Sequence, residues 1–252
     1  MELKLALATL LSHPAVWRGD QLGGISVPSL PTGFAALDAQ LPGGGWPMAA
    51  LIEILPEHEG IGELRILGPA LAQLSAARRW LAWIAPPYVP YAPALQAAGI
   101  DLSRFLLVKT RTLRETLWGM EQALRDNSCG AVLAWPDTIS YPELRRLQLA
   151  AAGTQALTVL FRPLRTAGVS SPAALRLSLH TYQGDLAVRI VKRRGSVLVQ
   201  PIVLRPTPVV SPRKSIPFID NETGRQSSFT RRTPRPLGEG WGVRVEQCNV
   251  VT

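Results

Sequence analysis

Cysteine, histidine and lysine are all scarce in this 252-residue chain, which has 2, 3 and 4 of them respectively. Cys129 and Cys248 stand 119 positions apart, a spacing that suits neither a zinc cluster nor the disulfide framework of a small secreted domain, so a reducing cytosol is expected. His13, His58 and His180 are scattered, and no Cys or carboxylate spacing beside them marks a metal site or an activated nucleophile. Long apolar runs are missing as well. The stretch Leu5 to Leu11 ends at Ser12-His13-Pro14 without a small-residue cleavage site and is too short to span a bilayer, so the protein is read as soluble with no membrane partner.

Charge of one sign is in excess: 27 Lys and Arg oppose 18 Asp and Glu, for a net +9. With 46% hydrophobic and 18% charged residues the composition is globular, and the positive balance favours a polyanionic partner such as nucleic acid. The excess is uneven, however. Residues 1–200 hold +5 and residues 201–252 hold +4, the latter with seven of the 22 prolines and little apolar periodicity. The expected organisation is an N-terminal helix and linker over 1–30, an α/β domain over 31–200 and a disordered basic tail over 201–252.

Between these ends, short apolar runs alternate with amphipathic ones. Residues 2–12 fit a short helix. Ala50 to Leu55, Trp80 to Ala85, Phe105 to Val108, Ala131 to Trp135 and Leu157 to Phe161 fit buried strands. Helices are expected from Ile61 to about Arg79, from Pro93 to Ala98, from Thr112 to Arg125 and from near Pro142. Strands separated by helices imply right-handed crossovers and a mainly parallel sheet with helices on both faces. Leu175, Leu177 and Leu179 alternate with polar residues, and Gly184-Asp185 then turns the chain into a C-terminal β-hairpin at the sheet edge.

One stretch carries a specific pattern. Thr32, Gly33, Phe34, Leu37, Asp38, Leu41, Gly43, Gly44, Gly45, Pro47, Glu53 and Ile54 stand in the order and spacing that open a RecA-like recombinase core, ahead of its P-loop. The loop itself has lost its chemistry. Phosphate binding needs a small first residue, a lysine and a magnesium-binding hydroxyl, and the segment Leu55, Pro56, Glu57, His58, Glu59, Gly60, Ile61, Gly62, Glu63 places Leu55, Ile61 and Gly62 there. Glu59 and Glu63 add negative charge where a nucleotide would bring more. The strand Trp80 to Ala85 lacks the terminal glutamate that would activate water, and Asp137 lies two residues beyond the place of a magnesium-binding aspartate. The expectation is a protein that is not an enzyme and binds no cofactor.

A RecA-like body without ATP chemistry, with residues 13–22 (HPAVWRGDQL) before it and residues 79–109 (RWLAWIAPPYVPYAPALQAAGIDLSRFLLVK) within it, resembles the ImuA family, also labelled SulA-like, over residues 1–195. That resemblance implies a non-catalytic adaptor in SOS-induced error-prone translesion DNA synthesis. Its partners would be ImuB, a DnaE-class error-prone polymerase and RecA, in the cytoplasm and on the nucleoid when active. Two alternatives stand beside it: a SulA-type cell-division inhibitor acting on FtsZ, and a weakly DNA-binding RecA paralogue. Candidate contact residues are Tyr88 and Tyr91, as partner anchors or as packing; Arg162 and Arg165, as phosphate contacts or as a solvated loop; and Lys192, Arg193 and Arg194, as a basic edge or as a solubilising strand end.

Overall fold

The computed structural model describes residues 28–195, 200–205 and 244–247. The helix expected over 2–12 lies outside them, as do most of residues 201–252.

The described chain opens with β1 (Ser29–Leu30), a one-turn helix α1 (Ala35–Asp38) and β2 (Trp46–Pro47), with β1 and β2 paired antiparallel. The Asp38 carboxylate accepts from Thr32 N–H at 2.9 Å, and Leu37, Leu41 and Trp46 are buried, so this motif is packed into the domain. Gly33, at φ +85°, could not carry a side chain: a Cβ there would lie 2.5 Å from Pro69.

A nine-stranded sheet follows. Its strands are β3 (Ala50–Pro56), β4 (Trp80–Ile84), β5 (Phe105–Lys109), β6 (Cys129–Ala134), β7 (Leu157–Phe161), β8 (Leu175–Tyr182), β9 (Asp185–Lys192), β10 (Ile202–Leu204) and β11 (Arg244–Gln247), in the order β10-β9-β8-β3-β7-β6-β4-β5-β11. The helices α2 (Gly68–Ala76), α3 (Ala92–Ala97), α4 (Leu113–Arg125) and α5 (Tyr141–Ala152) connect successive strands. Pairings from β8 through β3, β7, β6 and β4 to β5 are parallel, whereas β9 on β8, β10 on β9 and β11 on β5 are antiparallel.

The sheet is therefore mixed, and the expectation of a RecA-like P-loop core with a mainly parallel sheet is corrected on two counts. Both flanks are antiparallel, and the segment after β3 enters its helix later than a P-loop would. A helix was expected from Ile61, yet residues 57–67 form turns, with Gly60 at φ +83° and Gly62 at φ +101°, and α2 starts only at Gly68-Pro69. Ile61 and Gly62, which would open the helix of a P-loop, lie in turns ahead of α2, so no helix N-terminus stands where such a loop holds phosphate. The hairpin β8–β9 is not the edge either, since β10 adds to it beyond residue 200.

Alternation along the strands splits the core across the sheet. Ile52, Ile54, Trp83, Leu133 and Val159 meet Leu67, Leu71 and Trp46 on one face. Leu51, Ala82, Val132 and Leu160 meet Leu117, Met120, Leu124, Leu144 and Leu147 of α4 and α5 on the other. Both of those helices are capped from the sequence. Thr112 Oγ1 accepts from Glu115 N–H at 3.2 Å, and the Glu143 carboxylate accepts from Ser140 N–H at 2.8 Å and Ser140 Oγ at 2.7 Å. The Ser140 N–H first, and then its hydroxyl, hold the Glu143 carboxyl below its ordinary value. A lowered folded pKa contributes stability that is complete above the unfolded value and is lost as pH falls through the folded one. Ser140→Ala is accordingly expected to cost about 1 kcal/mol near neutral pH. In thermal melts that difference should shrink as the pH drops below the ordinary carboxylate range.

Candidate functional site

Because β3 to β8 run in one direction, the loops after β3, β4, β6 and β7 gather at one edge of the sheet, where α/β folds build their sites. They enclose a cleft of about 490 Å³ lined by Pro56 to Glu59, Glu63, Ala85, Pro87, Trp135 to Asp137 and Phe161 to Arg165. Its aromatic floor is continuous with the core. Trp135 stacks on Phe161 with centroids 4.8 Å apart and rings inclined by 11°, and Trp83 lies 5.6 Å from Trp135 and 5.1 Å from Phe105.

The loop after β3 has filled its own anion cradle. Gly60 N–H donates to Glu63 Oε1 at 3.0 Å and Gly62 N–H to Glu63 Oε2 at 3.1 Å, so one carboxylate takes two main-chain donors that would otherwise suit an external oxyanion. Leu55 is buried in the sheet, Ile61 packs against the core, and Glu57 faces His180 at 3.5 Å. Glu63→Gln turns an acceptor into a donor facing Gly60 or Gly62. It is expected to raise amide hydrogen exchange across residues 57–67 at least tenfold, a loss of about 1.4 kcal/mol in local opening.

Below this loop lies a buried ionic network. Glu53 is fully buried; its Oε1 accepts from Arg162 Nη1 at 3.0 Å and Ser171 Oγ at 2.9 Å, and its Oε2 accepts from Arg176 Nε at 2.5 Å. Arg176 also donates to the carbonyls of Thr166, Ala167 and Val169 at 2.8 to 3.0 Å and so pins the loop after β7. Lys192 Nζ donates to Ser171 O at 2.7 Å; burial first, then the neighbouring Arg176, lowers its pKa against the opposing pull of Glu53. One carboxylate thus serves two guanidinium groups.

The structure separates the predicted contact residues. Arg162 is 4% exposed and turned onto Glu53, so it is withdrawn from phosphate, whereas Arg165 is exposed and paired with Asp137 at 2.6 Å. Lys192 is tied to Ser171, Arg193 donates to Gln40 O, and Arg194 is exposed at the end of β9. Tyr88, Val89 and Tyr91 are 70%, 76% and 67% exposed on the loop after β4. A hydrogen bond to Glu59, and that carboxylate's charge, raise the Tyr88 pKa. The loop leaves β4 through Ala85 at φ +51°, a left-handed conformation that costs a residue with a Cβ about 1 kcal/mol.

Arg176, Ser171 and Trp135 were missed by sequence reasoning. Arg176 falls on the polar phase of β8, which reads as solvent-facing; the only hint was a glutamate at the middle of the apolar run Ala50 to Leu55, since a charge there demands a buried partner. Burial pushes the Cys129 thiol up to about 11, which leaves it unreactive. Among the described residues no group of three or more His, Cys, Asp or Glu is placed to hold a metal ion, and no helix is long and apolar enough to cross a membrane.

Comparison with known proteins gives this geometry a family. The model of the family "Cell division inhibitor SulA" matches residues 52–158, from β3 to the second residue of β7. The cell division inhibitors SulA of Yersinia pestis (strain Pestoides F) and Yersinia pseudotuberculosis serotype O:1b (strain IP 31758) are each 30% identical to it over 118 residues, 47% of this chain and 70% of theirs. The crystal structure of SulA from Pseudomonas aeruginosa aligns with 30% identity over 46% of this chain and 99% of that one, at a TM-score of 0.39. The matched segment contains the loop after β3, the exposed Tyr88 to Tyr91 loop and Trp135. In place of the expected RecA-like core the relatives are thus SulA proteins, and the ImuA resemblance narrows to its SulA-like part: the chain belongs to the SulA family.

Proposed function

We propose that this chain is a non-catalytic, cytoplasmic inhibitor of cell division induced under SOS control, which binds FtsZ and blocks its assembly. The observation that carries this reading is the exposed loop after β4, which lies inside the family match. Tyr88, Val89 and Tyr91 stand in solvent between Pro86, Pro87, Pro90 and Pro93. Prolines limit the conformations such a loop loses on binding, and rigid tyrosines supply contact area at low entropic cost. The self-filled cradle at Glu63 supports a role without a nucleotide. Sedimentation of purified FtsZ with GTP, with and without the full chain, tests the reading: assembly should fall as the chain approaches stoichiometry with FtsZ.

A second reading, the translesion accessory role with ImuB, a DnaE-class polymerase and RecA, is favoured by one observation. The motif from Thr32 to Pro47 lies before the matched residues yet packs into the same core through Leu37, Leu41 and Trp46. Co-purification of ImuB with the full chain, together with unimpaired FtsZ assembly, would select it.

A further inference from the structure

The charge around the cleft is opposite to that of the chain. Glu57, Glu59, Glu63 and Asp137 line it, together with His58 and two arginines. Of those arginines, Arg162 is buried below the floor, turned onto the Glu53 carboxylate that it shares with Arg176, and Arg165 is held by Asp137. Glu57, Glu59 and Asp137 are exposed, Glu63 is half-buried against its loop amides, and the floor between them is the half-buried Trp135 stacked on Phe161. A chain of net +9 therefore concentrates carboxylates around an aromatic surface at the end of its sheet. That combination selects a cation with an apolar stem: carboxylates attract the charge, the indole face takes a guanidinium or ammonium, and the prolines Pro56, Pro87, Pro136 and Pro163 cover the methylenes. The same carboxylates repel nucleic acid.

We propose that this cleft docks a basic segment of a partner protein, with an arginine or lysine side chain over Trp135 and its charge among Glu57, Glu59 and Asp137. The inference rests on reading this edge as the docking edge, since Ala85 and Pro87 belong both to the cleft wall and to the loop that carries Tyr88 and Tyr91. It adds the chemistry of the partner: a basic, unstacked polypeptide rather than an anion. Screening follows directly, because exposed charges interact within a Debye length of about 8 Å at physiological salt.

The test uses the full chain and fluorescein-labelled octa-arginine as the probe, read by anisotropy at low and physiological salt. A protein of this net charge repels such a peptide unless a local acidic site captures it. The expected result is saturable binding, weakened about tenfold or more by the combined substitutions Glu57→Gln, Glu59→Gln and Asp137→Asn at unchanged melting temperature. Trp135→Leu, which keeps an apolar floor without the indole face, should weaken it about threefold. Absence of saturable binding, or affinity unchanged by the triple substitution, overturns the proposal. So does saturable binding of a labelled single-stranded oligonucleotide, titrated without the peptide, that the triple substitution abolishes. Zero-length crosslinking of Lys214 to Glu57, Glu59 or Asp137 within one chain would make this chain's own segment the occupant and overturn assignment to a partner. FtsZ sedimentation run in parallel keeps the two readings separate. Inhibition retained by a triple variant that has lost octa-arginine sinks only the cleft as the contact, whereas octa-arginine capture without inhibition sinks only FtsZ as the target.

Discussion

Glu53→Ala is expected to cost about 3–5 kcal/mol of stability, the range found when one partner of a buried ionic group is deleted. It would leave the guanidinium groups of Arg162 and Arg176, each 4% exposed, without their shared carboxylate. A loss of that size is a large fraction of a typical domain's 5–15 kcal/mol, so the variant should be largely unfolded in a denaturant titration or recoverable only at low temperature. Glu53→Gln keeps an acceptor for one arginine but presents an amide N–H to the other, and should fall between wild type and alanine. Replacing Glu53, Arg162 and Arg176 together with leucine, methionine and methionine removes the unpaired charges. Recovery should be only partial, because the carbonyls of Thr166, Ala167 and Val169 then lose their donors. Full recovery would show that Arg176 does not hold the loop after β7.

Replacing Tyr88 and Tyr91 together with alanine is expected to weaken partner binding about 100-fold or more, with melting temperature unchanged. Both side chains are two-thirds or more exposed and contribute no core burial, whereas a central aromatic anchor carries 2 kcal/mol or more of an interface. The two variants should therefore separate, Glu53→Ala lowering stability and the tyrosine pair lowering binding. A titration of FtsZ assembly against inhibitor concentration reads the second, and equal potency of wild type and double variant would move the contact elsewhere.

Much of the architecture was legible because local signals agreed with the global fold. The strands at Ala50, Trp80, Phe105 and Leu157 begin where their apolar runs begin, and α4 carries Leu117, Met120 and Leu124 on the face its spacing predicts. Disagreements arose where long-range pairing overrides pattern. The leucines from Ile61 to Leu67 have helical spacing, yet two positive-φ glycines and the Glu63 carboxylate hold that stretch in turns. The opening motif and parallel crossovers suggested a RecA-like core; the β8–β9 hairpin was announced by its alternation and turn, but β11 on β5 depends on contacts of high sequence separation that no local period announces. At the site, Tyr88, Tyr91, Arg162 and Arg165 were singled out by residue type and by their place on loops after strands. That could not decide between anchor and packing for the tyrosines, which stand in solvent, or between phosphate contact and solvated loop for the arginines, which pair with Glu53 and Asp137. Trp135 was hidden for the opposite reason, since it terminates an apolar run and reads as core while forming the cleft floor.

The net charge changes meaning in the same way. A +9 chain suggests nucleic acid, yet the edge where the connecting loops converge is acidic; Arg162 and Arg165 there are held by Glu53 and Asp137, and Lys192 to Arg194 end β9 toward the opposite end of the sheet. Inhibition of FtsZ is read directly by sedimentation of the GTP-assembled polymer across a titration of the full chain. Polymer in the pellet should fall toward zero near equimolar inhibitor, and the Tyr88→Ala, Tyr91→Ala double variant should leave it close to the untreated level. Undiminished polymer with a several-fold excess of folded wild-type chain would contradict that inhibition.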